Sequence, residues 1–496
     1  MILSKNILSH VDATKINVPG ENIFQLPEKV LQFGTGVLLR GLPDYFIDKA
    51  NRQKIFNGRI VVVKSTSTGD INAFAKQDGL YTICVRGVEN ENNITENIIS
   101  SSISRVLSAK DDWDKVLQCA SNADLQIIIS NTTEVGIQMI KEDISQSPPS
   151  SFPVKLLAFL YQRFKAFNGS ATSGMIIIPT ELLVDNGRKL LAIVLELAYE
   201  NKLEETFIEW LKNNNHFCNS LVDRIVPGKP DADKLEKLQS ELGYEDELLI
   251  VAEPYHLWAV EGNQQVKNVL SFATVDNGMI VTNDINLYRE LKLRLLNGTH
   301  TLCCGLAHLA GFVTVIEAMK NKKFAAYVSD VMLREIATAI PFPISQEQAN
   351  DFGLKVLDRF GNPFIEHHWL NITLNYTSKI RSRDVPVLLE YFRKYNIVPK
   401  CMALGFAAYL FFMKAVKKED DKYYGESNGK FYFINDEQAG YYYEVWSNNN
   451  PEQVVAGVLR NKSLWDEDLT LLKGFSKSVT DSLVAFIENG VAKLFF

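Results

Sequence analysis

A lysine, an asparagine and a histidine stand close together in the segment 290–300, which has the sequence ELKLRLLNGTH. At about 100° per residue in an α-helix, Lys292, Asn297 and His300 lie at about 0°, 140° and 80° around the axis, with the histidine between the other two. An amine, an amide and an imidazole on one face could deprotonate an alcohol and bind the developing oxyanion. The alternative is a solvated lysine beside an asparagine that caps a helix.

Composition and charge narrow the class of protein. The 496 residues carry a net charge of -7 and have a pI near 5.7, which argues against a nucleic acid as the main partner. A local basic pocket on such a chain can still bind a small anionic substrate.

The 6 cysteines form no CxxC pair, the amino terminus lacks the apolar stretch of a signal peptide, and the longest apolar run, 401–413, is too short to span a bilayer. We expect a cytoplasmic protein without membrane contact, a monomer or small homo-oligomer.

The order of the predicted elements indicates an α/β fold. In the first half, helical patterns alternate with near-continuous apolar runs typical of parallel strands covered on both faces: 30–33, 59–64, 126–130 and 175–178. After about residue 285 the sequence predicts mainly helices: 288–309, 323–339, 345–359, 385–395, 402–416, 451–460 and 476–489. We expect a domain with a doubly wound sheet over 1–284, a mostly α-helical domain over 285–496, a solvated loop or helix end at the charge run 417–422 and a long surface excursion at 423–443.

A glycine turn joins the first strong strand to a helix. Phe33, Gly34, Thr35 and Gly36 form a GxG turn, which suits the close approach of a pyrophosphate to a helix N-terminus. Residue 39 is leucine where the usual dinucleotide fingerprint has a third glycine, so a plain strand-to-helix turn is the alternative. Four further candidates for the cofactor site directly follow the third strand: Asn131, Thr132, Thr133 and Glu134.

The end of the second strand leaves the choice between NAD and NADP open. This strand ends at Lys64, and the first acidic residue after it is Asp70. The acidic side chain that typically binds the ribose 2′-hydroxyl of NAD is therefore missing from its usual place. Lys64 could bind the 2′-phosphate of NADP, or it could be a solvated strand end.

Five motifs in a fixed order give the chain a family resemblance. They are F-G-x-G-x-x-x-R-G at 33–41, T-T-E-x-G at 132–136, V-D-R-I-V-P at 222–227, E-P-Y-x-x-W at 253–258 and K-x-R-x-x-N-G-x-H at 292–300. Together they resemble the mannitol dehydrogenase family of polyol-specific long-chain dehydrogenases. The resemblance implies a Rossmann-type domain, a helical domain, a nicotinamide cofactor without metal, and a lysine as general acid/base.

The matching motifs imply roles for single residues. By this resemblance Lys292 is the catalytic acid/base, Asn297 is the amide that binds the oxyanion, and His300 orients substrate and lysine. Asp223, in the third motif, is expected close to the substrate. His256, in the fourth, either contacts the substrate or is a structural histidine.

The loop 180–187 departs from the mannitol-type pattern. Mannitol-type members have an asparagine at the position of Leu182, where it supplies a second contact to the oxyanion. Asn186 is retained and is a candidate for substrate binding. Glu181 could take part in the site, or it could be a carboxylate that holds the loop.

A second departure, in the segment 367–383, bears on the substrate. Lys379 and Arg383 match the family pattern, whereas His368 replaces an arginine and Arg381 replaces a proline. This combination resembles the branch of the family that reduces tagaturonate, a keto-hexuronate. Its substrate carboxylate needs cationic partners, for which Lys379, Arg381 and Arg383 are candidates. Surface charge is the alternative for the two arginines.

The expected function is the NAD-dependent reduction of tagaturonate to altronate in hexuronate catabolism. The alternatives are a fructuronate (mannonate) or mannitol oxidoreductase of the same family and a non-catalytic NAD-binding protein. We expect no metal, because His367 and His368 point to opposite faces of an extended strand and no third ligand stands at a diagnostic spacing.

Overall fold

The computed structural model describes four stretches of the chain: residues 1–66, 71–90, 92–132 and 136–496. The chain folds into two units. The first unit comprises Met1–Gly87 and Asn93–Ile285, and the second comprises Val88–Asn92 and Asn286–Phe496. None of the helices in the described stretches is both long and apolar enough to cross a membrane.

A parallel sheet forms the centre of the first unit. In the described residues it has six strands: β1 (Glu28–Phe33), β2 (Arg59–Lys64), β5 (Ile103–Ser108), β6 (Ile127–Ser130), β7 (Ile176–Pro179) and β8 (His216–Phe217). The strand order is β5-β2-β1-β6-β7-β8, and every pairing is parallel. Because the order reverses on either side of β1, the sheet is doubly wound, as the alternating pattern predicts.

The two faces of this sheet are buried in separate cores. Val30 and Val62 point into one core, whereas Leu31 and Val61 point into the other. Such strands are apolar at every position, because each side chain enters one core or the other. The four strands predicted from apolar runs are all present.

Two smaller sheets complete the strands described in the first unit. Their strands are β3 (Tyr81–Glu89), β4 (Asn92–Ser100), β9 (Ser220–Asp223), β10 (Ile250–Ala252), β11 (Leu257–Glu261) and β12 (Met279–Thr282). The strand orders in the two sheets are β10-β3-β4 and β12-β11-β9. The α-helices are Val37–Gly41, Pro43–Arg52, Asn72–Lys76, Trp113–Gln118, Phe152–Ala166, Asn186–Glu200, Glu205–Asn214, Ala232–Leu242 and Gln264–Val269.

The second unit is mostly helical. Its α-helices are Asn286–Leu291, Thr299–Ala310, Val315–Lys320, Lys322–Ser329, Gln346–Phe360, Trp369–Ile372, Tyr376–Lys379, Val385–Tyr395, Lys400–Phe412, Ala439–Asn448, Pro451–Arg460, Lys462–Trp465 and Phe475–Asn489. Lys400–Phe412 is buried along most of its length and packs against Thr299–Ala310 and Phe475–Asn489. The α/β sheet unit followed by a helical unit confirms the predicted fold class.

Three helical stretches of the second unit are wound as π-helices: Lys292–Gly298, Asp330–Ile336 and Ile380–Asp384. In a π-helix the backbone hydrogen bonds run from residue i to i+5 instead of i+4, a rare winding that occurs mostly in short pieces and often at functional sites. The first and third of these π-helices pack against each other.

The charge run 418–422 is exposed, as expected, but the secondary structure predicted for 417–443 is wrong. Instead of a charged loop and a surface excursion, the structure has β13 (Lys417–Glu419), β14 (Lys422–Ser427) and β15 (Lys430–Phe433), which form an antiparallel sheet, and the helix Ala439–Asn448. Asn428 and Gly429, both at positive φ, form the turn between β14 and β15. An Asn-Gly pair between strands is a strong hairpin signal, and it was available in the sequence.

Candidate active site

The glycine turn lies at the carboxyl end of the parallel sheet, directly after β1. Gly34 has φ +133°, and a Cβ there would stand 2.8 Å from a Leu39 methyl and 3.1 Å from the Asn131 carbonyl oxygen. Only glycine fits this close approach between the end of β1 and the segment after β6. At Gly36 a Cβ would meet nothing within 4 Å, so the backbone there faces open space. The turn thus fits the approach of a dinucleotide pyrophosphate.

Glu181 ties together the segments that follow β6 and β7. Its Oε1 accepts hydrogen bonds from the Thr132 amide at 2.8 Å and the Thr132 hydroxyl at 2.9 Å, and its Oε2 accepts one from the Ser130 hydroxyl at 3.2 Å. The Asn131 amide donates to the Thr180 hydroxyl at 2.9 Å. Burial raises the pKa of Glu181, and the bonds from Thr132 and Ser130 oppose that rise. The contacts of Glu181 are those of a carboxylate that holds the loop.

Three residues from the sequence analysis of this region lie outside the described residues: Thr133, Glu134 and Asp70. Lys64 is buried, and its amine donates a hydrogen bond to the Thr66 carbonyl at 2.7 Å. It is therefore not a solvated strand end.

Asn186 is buried and fully occupied by backbone groups. Its Nδ2 lies 3.0–3.1 Å from the carbonyl oxygens of Pro179, Glu181 and Ser220, and its Oδ1 accepts from the amides of Gly187 and Ser220 at 2.9 Å. The side chain thus fixes the loop after β7 and leaves no amide group for a substrate. Asp223, also buried, is the last residue of β9.

His256 lies in a polar cluster of the first unit. Its Nδ1 faces the Pro254 carbonyl oxygen at 2.6 Å, and its Nε2 faces Oδ1 of Asp276 at 2.9 Å. The other oxygen of Asp276 accepts a hydrogen bond from Lys49 at 2.6 Å. The ring packs against Tyr45. With both ring nitrogens facing acceptors, the histidine has the contacts of a structural residue.

Lys292 and Asn297 are the first and sixth residues of the π-helix Lys292–Gly298. The α-helical spacing assumed for this segment is therefore wrong. Because a π-helix bonds residue i to i+5, Asn297 lies about one turn after Lys292, on the same side of the helix and not about 140° away. Both side chains are half-buried, whereas Leu295 and Leu296 are buried. The π-winding thus places the amine and the amide on one side of the helix.

His300 follows in the next α-helix and lies among aromatic rings. It stacks on Phe360, with ring centroids 4.0 Å apart and planes 3° apart, and it meets His367 edge-on at 5.3 Å. Burial lowers the pKa of His300 well below its usual value, and the charges of His367 and Arg359 add to that effect. The ring is therefore neutral near pH 7. Within the described residues, its buried Nε2 has no hydrogen-bond partner.

Lys379 and Arg383 lie near enough to His300 for their charges to lower the pKa of its ring. The Lys379 amine donates to the Ile372 carbonyl at 2.8 Å, and burial together with Arg383 lowers the pKa of Lys379. None of the carboxylates in the described residues forms an ion pair with Lys379. Arg381, in contrast, is exposed and forms a two-pronged ion pair with Asp466.

Three residues beside this group went without a role in the sequence analysis. Arg294 stands inside the K-x-R-x-x-N-G-x-H motif, so its position was a signal. Phe360 and Asp384 belong to no motif. Asp384 is fully buried, and a Cβ on Gly298 would stand 2.8 Å from its Oδ1. That contact explains why the position after Asn297 is a glycine.

In the described part of the chain, no three His, Cys, Asp or Glu side chains come together in a way that could hold a metal ion. Comparison with protein families then identifies the family of the chain. Residues 28–273 match the mannitol dehydrogenase Rossmann domain, and residues 284–487 match the mannitol dehydrogenase C-terminal domain. The chain belongs to the mannitol dehydrogenase family.

Relatives of this family member share its whole length. It is 35% identical over 490 residues to the altronate oxidoreductase of Bacillus subtilis (strain 168), covering 98% of this chain and 95% of the relative. It is also 35% identical over 476 residues to the altronate oxidoreductase of Shigella flexneri, covering 94% and 96%. The protein is thus an oxidoreductase that acts on CH–OH groups, of the polyol and sugar-acid dehydrogenase type.

Two solved structures share the fold of this family member. One is Pseudomonas fluorescens mannitol 2-dehydrogenase in a ternary complex with NAD and D-mannitol, at 22% identity and a TM-score of 0.68, covering 100% of this chain and 99% of that one. The other is D-sorbitol dehydrogenase in substrate-free form, at 19% identity and a TM-score of 0.79, covering 100% of both chains.

Proposed function

We propose that this protein catalyses the reversible, NAD-dependent reduction of tagaturonate to altronate. Support for the substrate comes from the relatives named altronate oxidoreductase, which match over nearly the full length. The observation that carries the chemistry is the placement of Lys292 and Asn297 on successive turns of one π-helix, followed by a neutral His300.

The glycine turn at Gly34 and Gly36 is the candidate seat of the cofactor, bordered by Phe33, Thr35 and the segment that begins with Asn131. The open backbone at Gly36 leaves room for the pyrophosphate group. NAD is the proposed cofactor, as in the mannitol 2-dehydrogenase complex that shares the fold. When bound, it supplies or accepts the hydride at the substrate carbon.

Lys292 acts as the general acid in the reductive direction. Its ammonium group donates a proton to the keto oxygen as negative charge develops there, and the neutral amine accepts that proton in the oxidative direction. The Asn297 amide donates a hydrogen bond to the same oxygen and stabilises the charge. His300 orients the oxygen, for which its Nε2 is suited because this buried atom has no partner within the described residues.

Lys379 is the proposed partner of the substrate carboxylate. Its amine has three N–H donors, and the hydrogen bond to the Ile372 carbonyl uses one of them. Arg381 is a poor candidate, because its guanidinium group is occupied by Asp466. His256 and Asn186 are likewise occupied by protein groups, so their proposed role is to support the fold of the first unit.

A substrate panel tests this proposal. The oxidation of NADH and of NADPH is followed with tagaturonate, fructuronate and fructose in turn. We expect the highest kcat/KM with NADH and tagaturonate. Preference for fructuronate or fructose would assign the protein to another activity of the same family. Binding of NADH without turnover of any of the three would instead identify a non-catalytic NAD-binding protein.

A further inference from the structure

Two π-helices of the second unit carry or adjoin the proposed catalytic side chains. Lys292–Gly298 contains Lys292 and Asn297, and Ile380–Asp384 begins directly after Lys379. The two segments pack against each other. Their relative position therefore decides where the acid, the oxyanion donor and the carboxylate partner stand.

Arg294 extends from the first π-helix to the second. Its Nη1 donates hydrogen bonds to the carbonyl oxygens of Ser382 at 2.7 Å and Arg383 at 2.8 Å. Its Nε donates to Glu290 at 2.9 Å, one turn earlier in the same helix. With 8% of its side chain exposed, Arg294 makes these bonds away from water, where a charged donor contributes most.

Arg383 extends from the second π-helix back to the first. Its Nη1 lies 3.4 Å from the Asn297 carbonyl oxygen and donates to the Thr301 hydroxyl at 3.0 Å. The Thr301 hydroxyl in turn donates to the same Asn297 carbonyl at 2.8 Å. The backbone of the oxyanion donor is thus held by a side chain from the opposite π-helix.

These bonds have a physical reason in the π-winding. Where a helix passes from one winding to the other, the regular ladder of backbone hydrogen bonds is interrupted, and side chains or water have to satisfy the carbonyl groups at the junction. Each π-helix here supplies an arginine to the carbonyl oxygens of the other. Asp384, the last residue of the second π-helix, is fully buried against Gly298 of the first. Burial raises the pKa of its carboxyl group well above the usual value, and the charges of Arg383 and Arg294 oppose that rise.

We propose that Arg294 and Arg383 form a reciprocal brace, and that this brace positions Lys292, Asn297 and Lys379 for the reaction. The two arginines are proposed as positioning residues, because their hydrogen bonds are to the backbone of Asn297 and to the backbone that follows Lys379. The inference rests on the proposed function for its kinetic consequence, but the brace itself is a property of the fold.

The test compares Arg294→Gln with Arg334→Gln. Arg334 is a matched control, because it also lies in a π-helix but is exposed and pairs only with Asp330 along its own helix in the described residues. We expect Arg294→Gln to lower kcat for tagaturonate by about tenfold or more, since small misplacements of reacting groups are costly. The KM for NADH stays as in wild type. Because Arg294→Lys keeps a cationic donor, we expect its kcat to lie between that of Arg294→Gln and that of the wild type.

Hydrogen exchange separates this inference from the proposed function. Arg294→Gln is expected to speed exchange of the backbone amides in 297–302, while Arg334→Gln leaves them protected as in wild type. If the wild-type protein is inactive, the proposed function is contradicted, but the hydrogen-exchange measurements still test the brace. If Arg294→Gln does not fold, Thr301→Val removes the bridging hydroxyl with little change of volume. Wild-type kcat and exchange in the folded variants would overturn the brace.

Discussion

The chemistry of the site depends on how single side chains are charged. A neutral His300 can orient a substrate oxygen without competing with Lys292 for the proton, and burial keeps it neutral. The sequence singles out Lys292, Asn297 and His300 as candidates because they stand in one short motif. It does not predict that Arg381 is occupied, because its partner Asp466 lies 85 positions away and only the fold brings the two together.

The acid/base role of Lys292 is tested by Lys292→Met, which keeps most of the length of the side chain and removes the amine. We expect kcat to fall by about 10²–10⁴, the usual contribution of an acid–base group. Lys355→Met serves as the control, because Lys355 is exposed and pairs only with Asp351 in the described residues. It should keep wild-type kinetics. A kcat for Lys292→Met within about tenfold of wild type contradicts the role.

The choice between two cations is tested by comparing Lys379→Met with Arg381→Met. Lys379 is half-buried beside His300, whereas Arg381 is exposed and paired with Asp466. We expect Lys379→Met to raise the KM for tagaturonate by about tenfold to a hundredfold, the value of a charged hydrogen bond. Arg381→Met should change it by less than about threefold. Equal effects in steady-state kinetics would show that Lys379 is not the carboxylate partner.

At the scale of elements, the sequence predicts what depends on local pattern. The apolar strands and the helices 385–395 and 451–460 agree with Val385–Tyr395 and Pro451–Arg460 in the structure. The π-windings are not predictable in this way, because these segments have the composition of an α-helix, and their tertiary contacts, such as those of Arg294, join residues far apart in the sequence. The angle predicted between Lys292 and Asn297 is wrong for that reason, because it assumes α-helical spacing.

Asn186 offers a test of how the loop after β7 is held. Asn186→Ala removes its contacts to three carbonyl oxygens and two amides and leaves some of these buried groups unsatisfied. We expect a loss of about 3 kcal/mol in the free energy of unfolding. Asn213→Ala, at an exposed position that bonds to Glu209, is the control and should cost about 0.5 kcal/mol or less. Urea unfolding followed by circular dichroism measures both. Equal urea midpoints for Asn186→Ala and Asn213→Ala would contradict the structural role of Asn186.

At the scale of the whole molecule, an acidic chain carries a basic site. The net charge is -7, yet Lys379 and Arg383 lie together around a neutral histidine. Total charge therefore argues against a polyanionic partner without arguing against a small anionic substrate. The fold class was predictable because strands and helices alternate over a long stretch of sequence. The ion pair between Arg381 and Asp466 joins residues 85 positions apart and was not predictable from local pattern.

The pH dependence of stability follows from Asp276. Burial raises its pKa, but the bonds from His256, Lys49 and the Gly278 amide outweigh that effect and hold the pKa well below the usual value. A lowered folded pKa means that the contribution is complete above the unfolded value of about 3.9 and is lost as the pH falls below it. Asp276→Asn should therefore cost about 2 kcal/mol between pH 5 and 7.

The two proteins should become equally stable in acid, because the wild-type carboxyl group is then protonated as well. Urea midpoints measured at several pH values give the difference between wild type and Asp276→Asn directly. We expect the difference between the two urea midpoints to be constant above about pH 5 and to become smaller below about pH 4. Lys477→Met, which breaks an exposed pair with Asp481, is the control and should give little difference at any pH. A difference that stays constant down to pH 3 would show that the Asp276 carboxylate does not stabilise the first unit.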